Sequence, residues 1–289
     1  MSQPQQTTIS RFGWLLGGLL LGAAVSVGAT FALQQPSADI PRLSNGKPDF
    51  SGIWQTTSAA DADLEPHHHR ADAPPGPGVV EGGAIPYLPE ALEQRAQNFA
   101  NRFTADPARK GFTLGVPRGI YYPAPFQILQ RERDFTLLPQ FGHSVRTIHT
   151  NNTDHPLEPN DWWLGDSRAR WDGDTLVVSV KHFNDETWLD SSGNFHSDAL
   201  QVEERWRLLD ANTIEYKATL SDINVYSRPW SLTVYLHRHR EPGFQLVEDY
   251  RYTLDYGQYY PYPAERAPAA GNTTETEPAA APTSKGDLQ

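Results

Sequence analysis

Between residues 213 and 237 the chain alternates apolar and polar side chains along two consecutive segments. Each segment has four apolar residues at every other position, Ile214, Tyr216, Ala218 and Leu220 in 213–220, and Trp230, Leu232, Val234 and Leu236 in 230–237. A period of two is typical of β-strands with one buried face. The pattern therefore predicts two strands, at 213–220 and 230–240, whose apolar faces point toward a common core.

The same pattern, bounded by turn residues, predicts short strands along most of the chain. A first strand begins within 48–54, and further strands are predicted at 126–131, 134–139, 143–150, 168–171, 175–183, 199–209 and 244–254. The turn sequences between them include Asp172-Gly173-Asp174, Asp210-Ala211-Asn212 and Glu241-Pro242-Gly243. Because such short turns connect antiparallel neighbours, we expect a long β-meander.

A meander with one apolar face per strand favours closure, since closure removes the exposed strand edges. We predict a mainly β fold, an antiparallel up-and-down barrel of about eight to ten strands. A β-sandwich built from the same strands is the alternative.

Residues 58–122 interrupt the strand series with a loop-rich insertion that is rich in proline and glycine. Its one regular element is predicted to be a helix beginning near Pro89, since proline is favoured in the first turn, and stopping at Asp106-Pro107. Apolar side chains recur along it at helical spacing, so we expect that face to pack against the domain. They are Leu92, Ala96, Phe99 and Phe103.

Both ends of the chain differ from the strand-rich middle. Residues 12–33 are uncharged and mostly apolar, and a bilayer-spanning helix needs about 20 such residues. We predict that 1–35 is an export segment, either an uncleaved anchor or a cleaved signal peptide, with Arg11 on the cytoplasmic side. Residues 36–47 are predicted to be a linker and 48–263 the barrel domain. Residues 264–289 carry no aromatic side chain and are predicted to be a disordered tail.

Composition excludes several classes of site. The chain has no cysteine, which removes disulfides, Cys-ligated zinc and a thiol nucleophile. A formal charge of -11 without a Lys/Arg cluster argues against a nucleic-acid partner. The adjacent His67, His68 and His69 do not converge on one ion in an extended loop. No Gly-rich phosphate loop, Gly-x-Ser-x-Gly elbow or His-Glu-x-x-His motif is present, so we predict neither a metal nor a cofactor.

Short motifs resemble those of lipocalin-like (calycin-type) barrels. Gly52-Ile53-Trp54 on the first strand and Arg251 on the last are similar to the Gly-x-Trp and closing Arg of that superfamily, in which the Trp plugs one barrel end and the Arg packs across it. The chain also resembles an uncharacterised family of secreted or membrane-anchored bacterial proteins. That resemblance rests on the sequences at 46–54, 165–168, 171–178 and 194–198. It implies fold and location and no particular activity.

The densest group of polar residues lies at 185–198, in the connection between two predicted strands. His196 and Asp198 have the spacing of an oriented general base, with the carboxylate fixing the imidazole tautomer. Asp185 and Trp188 are candidate ligand-binding residues in the same connection. The alternative is an ordinary turn in which His196 hydrogen-bonds a backbone carbonyl.

Two further groups are candidates. Asp166 and Arg168 begin a strand, and the Arg could hold a carboxylate or phosphate, or form a strand-initiating salt bridge. Glu204 lies in phase with Trp206 and other apolar residues, which places a carboxylate inside the barrel unless a bulge shifts the register. Arg146 is its obvious partner. We expect the connection 185–198, Asp166, Arg168 and Glu204 to meet at one barrel mouth, with Trp206 in the wall below.

These patterns predict a periplasmic or extracellular barrel, anchored to the inner membrane by residues 12–33, that binds a small, largely apolar molecule. One alternative is an enzyme, an isomerase, lyase or hydrolase that uses His196, Asp198 and Glu204. The other is a structural protein of the cell envelope.

Overall fold

The computed structural model describes residues 40–142, 144–157 and 161–249, and there nine strands form a closed barrel in sequence order. The strands are β1 (Gly52–Thr56), β2 (Phe126–Gln130), β3 (Asp134–Pro139), β4 (Arg146–His149), β5 (Asp166–Asp172), β6 (Thr175–Lys181), β7 (Gln201–Asp210), β8 (Thr213–Ser221) and β9 (Trp230–Arg238). Helix α1 (Pro89–Ala105), a 3₁₀ turn (Pro107–Lys110) and α2 (Arg118–Tyr121) lie between β1 and β2. The predicted mainly β barrel with a helix-containing insertion is confirmed.

All neighbouring strands pair antiparallel except β4 and β5, and β1 closes the barrel by pairing with β9. Strands β4 and β5 run parallel and pair only at Ile148↔Ser167 and His149↔Arg168. The prediction of a purely antiparallel meander is wrong at this pair. Parallel neighbours cannot be joined by a tight hairpin, so the chain must travel back along the barrel between them. Residues 150–157 and 161–165 belong to the connection between these two strands.

The barrel interior is filled by the side chains that the alternation predicted. In β8 and β9 each second residue is buried, and in β7 the buried set is Val202, Glu204, Trp206 and Leu208. Large aromatic side chains pack in the middle. Trp206 contacts Phe135 and Tyr216, with ring centroids 5.9 Å and 4.7 Å away. The inward register predicted for Glu204 is therefore confirmed.

Trp54 and Arg238 close one end of the barrel. Trp54 is fully buried, and the guanidinium of Arg238 lies over its ring, 4.2 Å from the centroid. Gly52 makes the approach possible: its φ is +140°, and a Cβ at this position would lie 2.1 Å from Arg238 Nη1. The predicted closing residue, Arg251, lies outside the described residues. Residues 244–249 of the predicted last strand are not in a strand, so β9 takes that place.

Helix α1 begins at Pro89 as predicted. The prediction of its packing face is wrong, since of Leu92, Ala96, Phe99 and Phe103 only Phe99 is half-buried. Leu92 and Phe103 are about half exposed, whereas Ala91 and Asn98 are buried. The amide of Asn98 donates to the carbonyl of Gly193 at 3.2 Å, so the helix docks by a polar contact. A Cβ on Gly193 would lie 2.6 Å from Asn98 Cβ, and only glycine permits this approach.

Among the described residues, no helix has both the length and the apolar character that crossing a bilayer requires. The predicted export segment, 1–35, and the predicted tail, 264–289, lie outside the described residues.

Candidate functional site

A buried ion pair lies inside the barrel between β4 and β7. Arg146 donates from Nη1 to Glu204 Oε1 at 2.9 Å and from Nη2 to Oε2 at 2.6 Å, a two-pronged contact that matches the planar guanidinium to the carboxylate. Arg146 is 6% exposed and Glu204 is fully buried. The pair predicted from the sequence is present, and it brings two opposite charges into a largely apolar core.

Ser167 and Tyr216 add further hydrogen bonds to this pair. Ser167 Oγ accepts from Arg146 Nε and Nη2 at 3.1 Å and 3.0 Å. The Tyr216 hydroxyl donates to Glu204 Oε1 at 2.7 Å. Burial, and then the charge of Glu204, raise the pKa of Tyr216 well above its usual value, so this hydroxyl keeps its proton. The four side chains form one network with no net charge.

Arg146 also forms the floor of an apolar cleft at one mouth of the barrel. The cleft consists of a narrow cavity of about 30 Å³ and an open groove of about 390 Å³ that share Thr113, Ser144, Arg146 and Leu164 as lining residues. The other apolar lining residues include Leu114, Val116, Ile120, Phe126, Leu137, Phe141 and Trp163. We call this space the mouth cleft. Of the described residues that line the mouth cleft, Arg146 is the charged one.

A second polar cluster lies on the outer face of β5 and β6. His155, from the connection between β4 and β5, lies with Nδ1 2.7 Å from Asp166 Oδ1 and Nε2 2.9 Å from Ser179 Oγ. Arg168 holds Asp166 from the other side through Nε and Nη2, at 2.7 Å and 2.8 Å. The outer cluster, as we call these four residues, borders an open groove of about 250 Å³ that is also lined by Arg170.

The hydrogen bonds of the outer cluster define its protonation. An ionised carboxylate can only accept, so His155 donates from Nδ1 to Asp166 and its Nε2 accepts from the Ser179 hydroxyl. Burial lowers the pKa of His155, against the opposing effect of Asp166, and the pKa lies below its usual value. Burial raises the pKa of Asp166, but hydrogen bonds from Arg168 and His155 outweigh the effect of burial. The pKa of Asp166 therefore lies below its usual value. At neutral pH the cluster therefore holds a neutral imidazole and a carboxylate.

The connection 185–198 is buried more deeply than its polarity suggests. His196 is 2% exposed, and its ring contacts Thr187 Oγ1 and the carbonyl of Ser197, both at 2.9 Å. The carbonyl can only accept, so Nδ1 carries the proton and Nε2 accepts from Thr187. Asp198 is exposed, as is Asp185, and Trp188 is buried. The hydrogen bonds of His196 are thus of the kind expected for the turn alternative.

Other polar residues of this connection hold the insertion on the barrel. Asp190 is fully buried and accepts four N–H bonds, from the backbone of Leu64, Ser192 and Asn194 and from the Asn194 amide. Burial, and then the nearby Asp63, raise the pKa of Asp190 to about 7. Ser191 accepts from Arg118, a buried residue of α2 that also holds Asp106. The connection is therefore a structural joint between the barrel and residues 58–122.

The structure separates the predicted constellation into three places. Glu204, Arg146 and Trp206 lie inside the barrel, whereas Asp166 and Arg168 lie on the outer face, because Ser167 between them points inward to Arg146. His196 hydrogen-bonds neither group in the described residues. In the described residues, the three groups do not form the single hydrogen-bonded cluster that we expected at one barrel mouth. The roles predicted for the individual residues stay predictions.

The sequence analysis missed those residues of the outer cluster and of the mouth cleft that lie outside strands. His155 is distant in sequence from Ser179 and lies in a connection without periodicity, and residues 113–120 roof the mouth cleft from the insertion. The Asp-x-Arg spacing at the start of β5 was the one available signal, since it placed Asp166 and Arg168 on the same face. Compared with known proteins, the chain matches no protein-family model and no curated protein.

Proposed function

We propose that the domain binds a small, largely apolar molecule in the mouth cleft, with one polar group directed at Arg146. The observation that carries the proposal is the combination of apolar walls with a buried arginine at their base. Ligand sites are typically lined by apolar side chains and a few convergent polar groups. The filled interior leaves the mouth, rather than the centre of the barrel, as the place for a ligand.

The ion pair between Arg146 and Glu204 determines which polar group of a ligand can bind beside Arg146. Because Glu204 already neutralises Arg146, a ligand carboxylate would add an uncompensated negative charge next to a buried carboxylate. A neutral oxygen acceptor, such as a ketone, ester or amide carbonyl, carries no such cost. Among the described residues, Ser167 and Glu204 engage four of the five N–H donors of Arg146, which leaves one on Nη1 for a ligand oxygen.

The location and family that the sequence suggests fit this proposal. We infer a lipocalin-like protein of the cell envelope, periplasmic or extracellular, tethered to the inner membrane by residues 12–33. The stacking of Arg238 on Trp54 at the start of β1 supports the lipocalin-like assignment, with Arg238 in place of Arg251. The enzyme built on His196, Asp198 and Glu204 has weaker support because the three are not joined, and a structural envelope protein remains the second alternative.

The test is binding of a neutral apolar dye. Nile red, which carries a carbonyl oxygen, should bind the full-length protein with increased fluorescence, and Ser144→Phe at the rim of the mouth cleft should abolish the increase. The matched control is Ser231→Phe on the outer face of β9, which should bind as the wild type does. Native mass spectrometry of protein purified without denaturant should show a retained neutral molecule. Equal dye affinity in both variants would contradict the proposal, as would selective retention of anionic ligands.

A further inference from the structure

We propose that Ser179, His155 and Asp166 form a hydrolytic triad for short carboxylic esters on the outer face of the barrel. This site is separate from the mouth cleft and does not depend on the binding function proposed for it. Its three side chains come from β6, from the β4–β5 connection and from β5. The inference rests on how these side chains are connected, on their access to solvent and on the charges beside them.

The connectivity is that of an activated serine. Ser179 Oγ lies 2.9 Å from His155 Nε2, and Asp166 Oδ1 lies 2.7 Å from His155 Nδ1. Since Asp166 fixes the proton on Nδ1, Nε2 presents its lone pair to the serine hydroxyl. Such triads are recognised by geometry and roles rather than by sequence order, and the same arrangement recurs on unrelated folds.

Ser179 differs from a serine of the core in that a substrate can reach its hydroxyl from solvent. Ser179 is half-buried and lines the groove of about 250 Å³ together with Arg168 and Arg170. Arg168 is the residue paired with Ser179 across the β5–β6 ladder, so its side chain lies beside the nucleophile on the same face. A groove open to water and lined mainly by polar side chains fits a short, polar acyl group better than a long alkyl chain.

The chemistry balances with water as the co-reactant. Ser179 Oγ bonds to the ester carbonyl carbon while its proton passes to His155 Nε2, and the carbonyl electron pair moves onto oxygen. Collapse of this intermediate breaks the bond to the alcohol oxygen, which leaves with the proton from Nε2. Water then attacks the acyl-serine, gives its proton to Nε2, and releases the carboxylic acid as Ser179 Oγ recovers its proton.

Each further group has a defined part. His155 is the catalytic base, and burial keeps it neutral at pH 7. Asp166 is a positioning residue that fixes the tautomer, and Arg168 holds its carboxylate in place. Among the described residues, the guanidinium groups of Arg168 and Arg170 line the groove together with the acidic side chain of Asp154. Cations beside a developing oxyanion stabilise it, and the two arginines outnumber the one acidic residue.

The first measurement is covalent labelling. A fluorophosphonate probe incubated with the full-length wild-type protein should modify Ser179, identified by peptide mass spectrometry. Labelling confined to other residues would overturn the proposal. This measurement needs no variant, so it does not depend on whether a substitution folds.

The second measurement is hydrolysis of p-nitrophenyl acetate and p-nitrophenyl decanoate. Ser179→Ala and His155→Gln should each lower kcat/KM for the acetate by about 100-fold or more, the usual contribution of a positioned base. Ser231→Ala, on the outer face of β9 and bonded to Thr219 rather than to a histidine, should leave the rate unchanged. The acetate should be the better substrate. Unchanged hydrolysis by a folded Ser179→Ala protein would show that the outer cluster is a hydrogen-bond network alone.

The positioning role of Asp166 has its own readout. The wild-type rate should rise with pH to a plateau, with a midpoint below about 6.5, since the neutral imidazole is the base. Asp166→Asn should lower the plateau and shift the midpoint. A profile that keeps both midpoint and plateau in Asp166→Asn would overturn this role.

Discussion

Arg146 and Glu204, 58 positions apart in the chain, meet inside the barrel as a two-pronged ion pair in which Glu204 is fully buried and Arg146 is 6% exposed. Burying two charges is costly, and the cost is offset when geometry is close to ideal and the remaining polar atoms are satisfied. Ser167 and Tyr216 supply hydrogen bonds of this kind, and among the described residues one N–H on Arg146 Nη1 stays without an acceptor. The pair is therefore a structural part of the barrel core, together with the buried aromatic side chains around it.

Removing one member of this pair should be far worse than removing both. Glu204→Leu leaves Arg146 charged and uncompensated, and should lower the free energy of unfolding by about 3–5 kcal/mol. The double variant Arg146→Met/Glu204→Leu should recover a large part of this loss, because no isolated charge remains. Urea denaturation of the two variants and of Arg146→Met measures the coupling. Additive losses would show that the charges do not interact.

Trp54 should be one of the most sensitive positions of the fold. Trp54→Ala should cost about 3–5 kcal/mol of unfolding free energy, as truncations of large buried aromatic side chains do. Arg238→Ala should cost less, since it removes one face of the packing around the ring and leaves the apolar core in place. Thermal and urea unfolding of both variants give the comparison, and a mild effect of Trp54→Ala would contradict its role at the barrel end.

Gly52 should tolerate no side chain, for two separable reasons. Its positive φ strains any other residue, and a Cβ would collide with Arg238. Gly82 isolates the first reason, because its φ is +85° and a Cβ there meets nothing within 4 Å. We expect Gly82→Ala to cost about 1–2 kcal/mol and Gly52→Ala to cost clearly more. Equal losses in urea unfolding would mean that the close approach of Arg238 is unimportant.

His196 should make the domain less stable in mild acid. Burial lowers the pKa of His196, so the folded state takes up a proton less readily than the unfolded chain. Below the unfolded pKa of about 6.5 the unfolded state binds more protons, and the free energy of unfolding falls as the pH drops. Wild type should therefore lose more stability than His196→Gln between about pH 7.5 and about pH 5.5.

Asp190 acts in the opposite direction over a neighbouring range. Its pKa is raised to about 7, so the folded state binds a proton there that the unfolded chain does not, and this favours folding as the pH falls. Asp190 is present in wild type and in His196→Gln, so the difference between the two proteins reports His196 alone. Equal acid losses in urea denaturation would contradict the buried neutral histidine.

The limits of the domain predicted from sequence can be tested by truncation. Deleting 264–289 should leave the melting temperature within about 2 °C, since a segment with no aromatic side chain and few large apolar ones can bury little apolar area. Deleting 1–35 should yield a soluble, folded barrel. Calorimetry and gel filtration check both, and aggregation of the shorter chain would contradict the assigned boundary.

Sequence by itself determined the features that depend on neighbours along the chain. Alternation with a period of two places each side chain on one face of its strand, so it identified most of the strands and the inward position of Glu204, although residues 244–249 of one predicted strand are not in a strand. The Gly-x-Trp motif likewise located the buried Trp54 on the first strand. These are properties of single strands and of short turns, and they follow from the backbone geometry of a few residues.

Tertiary structure decided everything that depends on how distant segments pack. The parallel pairing of β4 and β5 sends their connection back along the barrel and carries His155 onto Ser179, which no local pattern contains. In the polar connection 185–198, Asp190 and Ser191 bind the backbone of Leu64 and the guanidinium of Arg118 in the insertion, contacts that the sequence did not predict. Polar composition shows only that partners are required. Which partners are reached, whether substrate or protein, is fixed by the path of the chain in space.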